Sequence, residues 1–296
     1  IEGKESTSVE VPETEALIVK ATAADNYMFY RWVEEGTETV ISYRHTYSYE
    51  GTEDKTLVAE FVEKDYPIMT RFYVTDLNQQ NRYLGSVSYT AGDNTETLFT
   101  CATQEELPFT EYKKLHTPQV EGAVIDKTEN PIRLEEGVEN FSMNFKQYNE
   151  DITYNNGYRD IVCEPEIVWS YQTLYIDWNN DKEFSGENEI YAAVGNNSGD
   201  NTFDDPDGNV TEGWDRTITV PAETAPGTYR MRVVYMGPDP WSNDWPSKVF
   251  TEFYNEIRNG IAYDFEIAIS PASGIEGIAS GKVYYDAHAG LLISPN

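Results

Sequence analysis

Helical periodicity is nearly absent from this 296-residue chain, and that feature narrows the choice of folds more than any other. In its place stand short runs in which apolar and polar residues alternate, rich in Val, Ile, Tyr and Thr and separated by Gly, Asn and Asp. The runs at 16–22, 71–75, 86–90, 167–169 with 174–176, 216–220, 228–235 and 263–269 follow this pattern. Strands that recur with no helix between them predict an all-β protein, an antiparallel sandwich rather than a parallel sheet with helical crossovers. Tyrosine is abundant, 22 against 12 Phe and 6 Trp. An apolar ring with a polar tip suits half-exposed strands and binding faces.

Charge limits the partners. With 52 acidic and 21 basic residues the formal net charge is −31, a surface that repels phosphate backbones and anionic lipid headgroups. Unaided binding to nucleic acid is therefore excluded, while cations and neutral ligands remain. No run approaches the roughly 18–20 apolar residues that span a bilayer, so direct membrane insertion is not expected. The chain opens at Ile1 without a methionine and reads as a mature or trimmed form whose export signal has been removed, which predicts a secreted or cell-surface protein. Cys101 and Cys163 have two readings, a disulfide in an oxidising compartment or two free core thiols.

Catalytic signatures are missing. There is no G-x-S-x-G, no H-E-x-x-H and no phosphate-binding glycine loop, and His45, His116 and His288 fall in three separate segments. The expectation is a non-enzyme. A glycoside hydrolase, which needs only two carboxylates at a suitable separation, is the enzymatic alternative.

The most informative stretch runs from 174 to 190. Asp177, Asn179 and Asp181 occupy positions 1, 3 and 5 of a D-x-N-x-D loop, a spacing that curls successive side-chain oxygens around one hard cation. Glu183 offers a backbone carbonyl at position 7, Ser185 stands at position 9, and Glu189 stands at position 13, one later than the bidentate glutamate of an EF-hand. Lys182 replaces the glycine of position 6, and the loop follows a strand rather than a helix. The competing reading is an Asx-rich turn in which Asn and Asp bond their own backbone. Between 177 and 215 there are eleven acidic residues and one basic residue, so the excess charge is partly concentrated here. A second acidic loop inside that window gives Asp204, Asp205 and Asp207 as a weaker cation site, or else a solvated loop. A third feature is the Pro-rich segment 236–247, which carries Trp241 and Trp245 beside Asn243 and Asp244. Indoles stack on the apolar face of a pyranose while neighbouring amides and carboxylates bond its hydroxyls, so these four residues are the candidate glycan site; the alternative is a tryptophan plugging the sandwich end.

Two family resemblances organise the chain. Residues 19–23, 27–32, Gly36, 47–49 and 56–61 read V-K-A-T-A, Y-M-F-Y-R-W, G, Y-S-Y and T-L-V-A-E-F. This resembles the divergent B-repeat module of bacterial surface proteins, also seen in internalin-type adhesins, with Tyr30 and Arg31 in places usually held by small residues. The resemblance implies a small β-grasp-like spacer over 1–65, with Leu17, Val19, Tyr27, Phe29 and Trp32 among its apolar anchors. The run L-Y-I-D-W-N-N-D-K-E-F from Leu174, with Glu187 and Glu189 after it, is similar to the hallmark V-W-I-D-x-N-x-D-G-x-F of the GEVED domain. Downstream, 218–221 and 225–234 resemble that family's I-P and A-x-x-G-x-x-R-M-R-V elements. The family closes with G-E-V-E-D-Y, whereas residues 260–265 read G-I-A-Y-D-F and keep only Asp264 of its acidic residues. This resemblance implies an extracellular, jelly-roll-like β-sandwich over 66–270, serves a non-catalytic role, and favours Ca2+ at Asp177, Asn179, Asp181 and Glu189. The tail, 271–296, is similar to the start of C-terminal sorting or anchoring modules in secreted proteins of Bacteroidetes-type bacteria. Partners expected on this reading are a glycan or, for an adhesive stalk, a surface protein.

Overall fold

The computed structural model describes residues 17–24, 27–37, 39–49, 55–63, 65–74, 82–108, 115–164, 170–196, 213–237 and 253–272. Contacts divide the chain into two compact units, Ile1–Ile68 and Met69–Asn296. The protein is all-β, and among the described residues the only helical turn is a 3₁₀ segment at Gln104–Glu106.

The first unit holds β1 (Leu17–Lys20), β2 (Tyr27–Glu34), β3 (Val40–Ser42), β4 (Thr46–Tyr49) and β5 (Leu57–Glu63). They form an antiparallel β1–β4 pair and an antiparallel sheet of order β3–β2–β5. Burial is shallow, as expected of a unit this small. Trp32 and Val33 are buried, Phe29 packs on Trp32 and Phe61, and Trp32 Nε1 donates to the Arg44 carbonyl at 3.1 Å. Tyr27, expected as an anchor, is instead 44% exposed, because it is the first residue of its strand and Glu63 lies opposite it.

The second unit contains β6 (Thr70–Phe72), β7 (Leu84–Ala91), β8 (Asn94–Thr100), β9 (Val124–Asp126), β10 (Ile132–Glu135), β11 (Asn140–Gln147), β12 (Ile152–Asn155), β13 (Asp160–Cys163), β14 (Ser170–Asp177), β15 (Ile190–Asn196), β16 (Gly213–Thr219), β17 (Gly227–Met236), β18 (Glu256–Arg258) and β19 (Gly260–Ser270). One sheet runs β10–β19–β17–β14–β15 and the facing sheet runs β16–β11–β7–β8. Their inner faces share one core: Leu174, Ile176, Met231, Val233, Tyr263 and Phe265 from the first sheet meet Val87, Phe141, Met143, Phe145, Trp214 and Ile218 from the second. Alternation explains the choice of residues, since β11 buries every second side chain from Phe141 to Gln147.

The pairing is not purely antiparallel. β9 joins β19 in parallel along 262–264 and β10 joins it in parallel along 267–270, because an eleven-residue strand offers room for two short partners. β18 and β6 are also parallel. Gly260 opens β19 where a Cβ would run into the Tyr235 carbonyl oxygen and Met236, so close approach to β17 requires glycine there. Several tyrosines are deeper than their polar tips suggest, since each hydroxyl finds a partner inside. Tyr83 and Tyr154 bond each other at 3.2 Å, Tyr263 accepts from Leu84 N at 3.1 Å, and Tyr235 donates to Gln147 Oε1. Cys101 and Cys163 are not joined in a disulfide. Burial, with the Glu106 charge adding to it, pushes the Cys101 thiol up to about 11.

Candidate functional site

The acidic loop leaves the end of β14 and returns into β15. β14 is buried along its whole length, Asp177 included, because its outer side is covered as well as its inner one. Phe184 provides that cover: it is 1% exposed, with its ring 5.7 Å from Tyr175 and 5.5 Å from Phe253. The loop therefore folds back over the outer face of the sheet, and its apolar residue anchors it there.

Within the loop the candidate ligands turn inward onto backbone N–H groups. Asp177 accepts through Oδ1 from Asp181 N at 3.2 Å and through Oδ2 from Lys182 N at 3.0 Å. Asn179 Oδ1 accepts from Asp181 N and Asp181 Oδ1 from Glu183 N, both at 2.8 Å, which are successive Asx turns. Glu189, 1% exposed, closes the loop: Oε1 accepts from Trp178 N at 3.1 Å and Asn179 N at 3.2 Å, and Oε2 from Gly186 N at 2.7 Å. A Cβ on Gly186 would sit 2.6 Å from the Glu189 carboxyl carbon, so this carboxylate fills the space a side chain would need. Among the described residues Glu189 has no ion-pair partner. Burial raises its proton affinity above the usual carboxylate range; the N–H groups of Gly186 and Asn179 pull the other way, and the charges of Asp177 and Asp181 push it up again.

Backbone geometry supports the motif too. Lys182 has φ +65° and Asn180 has φ +58°, left-handed conformations that glycine adopts without cost. Lys182 thus sits in the conformation for which the hallmark motif uses glycine.

The donor set suits a hard cation. Every candidate atom is an oxygen, and a carboxylate offers about four lone-pair sites, so the two backbone bonds to Asp177 and the three to Glu189 leave acceptor capacity unused. Among the described residues no three His, Cys, Asp or Glu side chains are gathered as a ready ligand set. Asn179, Asp181 and Glu183 lie on the exposed side of the loop, whereas Asp177 and Glu189 lie beneath it. Asp204, Asp205, Asp207, Trp241, Asn243, Asp244 and Trp245 lie outside the described residues.

The closing-motif aspartate does something that spacing alone did not reveal. Asp264 on β19 is directly opposite Arg232 on β17, and it accepts from Arg232 Nε at 2.7 Å, Arg232 Nη2 at 2.8 Å and Arg230 Nη1 at 2.9 Å. Phe184 covers this pair, with the Arg232 guanidinium carbon 5.4 Å from its ring centroid. The available signal was Arg230-x-Arg232 in a strand, where a period of two places both guanidinium groups on one face.

Residues 171–267 match the family model of the GEVED domain. No curated protein matches the chain. The GEVED match takes in the acidic loop, both arginines and Asp264. It leaves out β7 to β13, although β7, β11, β12 and β13 contribute to the same core cluster.

Proposed function

We propose that this chain is a non-catalytic, exported binding module of a bacterial cell surface, with a β-sandwich stabilised by Ca2+ at the 177–189 loop and a glycan as its ligand. The observation that carries the cation part is the pair of buried carboxylates, Asp177 and Glu189, placed with Asp181 in one loop, where burial above all and then the neighbouring charges raise Glu189's affinity for a proton. A bound divalent cation supplies positive charge where the fold has gathered negative charge. Asp177, Asn179, Asp181 and Glu189 would hold it, with the Glu183 carbonyl as a further oxygen. Asp204, Asp205 and Asp207 are the weaker second site.

The glycan part rests on Trp241 and Trp245 with Asn243 and Asp244, a pairing of indoles and hydrogen-bonding groups that suits a pyranose. The first unit serves as a B-repeat-like spacer, and the GEVED-like sandwich extends upstream of the matched residues to about 66. Export and a Bacteroidetes-type origin are read from the two resemblances and the tail. A glycan array probed with and without Ca2+ tests the binding role. Sugar binding that is lost in Trp241→Ala and Trp245→Ala is the expected result. Wild-type protein that binds no sugar removes the glycan reading and leaves an adhesive stalk, and release of reducing ends from any polysaccharide overturns the non-catalytic one.

A further inference from the structure

The β12–β13 hairpin ends in a tip built to stay in one shape. Asn155 Oδ1 accepts from Gly157 N at 2.9 Å, Asn156 Oδ1 accepts from Tyr158 N and Arg159 N at 3.0 Å each, and Asn155 Nδ2 donates to Asp160 Oδ1 at 2.8 Å. Gly157, at φ +89°, takes the turn. The hairpin's inner face is fixed in the core by Ile152, Tyr154, Ile161 and Cys163. Tyr158 nevertheless stands 96% exposed at the apex. Arg159 beside it has no ion-pair partner among the described residues, in a chain whose acidic residues outnumber its basic ones more than twofold. A pre-organised turn that presents a bare tyrosine and an unengaged arginine combines the residue types that dominate protein interfaces.

The same unit carries a complementary feature before the start of β11. A groove of about 490 Å³ lies there, with a floor that includes Leu134, Val220 and Pro221 and a rim that includes Glu136, Glu139 and Glu223. Glu139 precedes β11 and the hairpin follows it, so the eight residues of that strand, about 25 Å at ~3.4 Å per residue, lie between the groove and the segment that leads into the hairpin. Tyr158 is 96% exposed, so the finger does not fill the groove of its own molecule. Apolar floor and acidic rim match an aromatic ring flanked by a cation.

We propose that the Tyr158–Arg159 finger of one molecule docks in the Leu134–Glu139–Val220 groove of a second copy, joining the chains head to tail. Such a contact uses two different patches, so it does not close on itself and propagates into open chains. One finger in one groove buries little area, which places the contact among weak, reversible interfaces. At about 0.15 M salt the Debye length is ~8 Å, so repulsion between the two negative molecules is screened while the Arg159–glutamate contact operates at short range. This inference is independent of the cation and glycan readings.

Sedimentation equilibrium of the whole chain from micromolar to millimolar concentration, in Ca2+-free buffer of physiological salt, tests it. The expected result is a weight-average mass that rises with concentration, with the onset displaced by about tenfold or more in Tyr158→Ser and in Arg159→Glu. Both substitutions lie on an exposed turn and leave the core untouched. Combining Arg159→Glu with Glu139→Arg in one chain restores association by exchanging the two charges. A monomer at every concentration, or association unchanged in Tyr158→Ser, overturns the proposal. Failure of the exchanged pair to reassociate overturns the choice of this groove.

Discussion

Asp264 and Glu189 are both buried carboxylates in the region matched to the GEVED family, and the fold treats them differently. Asp264 faces two arginines on the adjacent strand, so its counter-charge is part of the chain. Glu189 is held by three backbone N–H groups and stands near two more carboxylates. Both carboxylates accept hydrogen bonds, but only the first is shown to be charge-balanced by side chains. A buried charge that lacks a fixed partner invites a mobile one, and the oxygen-only surroundings of Glu189 suit a hard cation.

The contrast can be broken first at its balanced end. Asp264→Asn keeps the shape but removes the buried negative charge that faces Arg230 and Arg232, and chemical denaturation should register a loss of about 3–5 kcal/mol, independent of Ca2+. Phe184→Ala removes the side chain that covers this pair and anchors the loop, and should cost about 3 kcal/mol in the same assay. Since Phe184 belongs to the loop and packs on Tyr175 and Arg232 of the sheet, this variant should also weaken the response to Ca2+. Glu189→Gln sharpens the unbalanced end. Without Ca2+ it should cost about 1–3 kcal/mol for impaired bonds to Trp178, Asn179 and Gly186, and Ca2+ should no longer raise its melting temperature. The smallest expected effect is a gain: Lys182→Gly relieves a left-handed lysine and should add about 1 kcal/mol when measured in Ca2+.

Much of this contrast was legible in the residues, and some of it was not. Alternation along 216–220 and 228–235 announced strands, and the D-x-N-x-D spacing marked the loop before any geometry was known. In the loop's backbone Lys182 is left-handed, at the position for which the motif uses glycine. Burial of Asp177 was not legible, because Ser170–Asp177 reads as a mixed run. Phe184 and Phe253, packed on Tyr175, cover part of the outer side of a strand whose eight residues are all buried. The role of Asp264 was hidden for a related reason. It and Arg232 are 32 residues apart, and strand register, which sequence alone does not supply, makes them opposite neighbours. Local chemistry is written in short windows, whereas charge partners across a sheet depend on topology.

Thermal unfolding of the wild type and of Asp177→Ala/Asp181→Ala, each in Ca2+ and in chelator, tests the cation loop most directly. A site filled to a hundred times its dissociation constant stabilises by about 2.7 kcal/mol, so the wild type should melt clearly higher in Ca2+ and the double variant should melt at one temperature in both buffers. The shift between buffers is the readout, because the double variant starts from a lower stability of its own. Wild-type protein that melts identically in Ca2+ and in chelator contradicts the account.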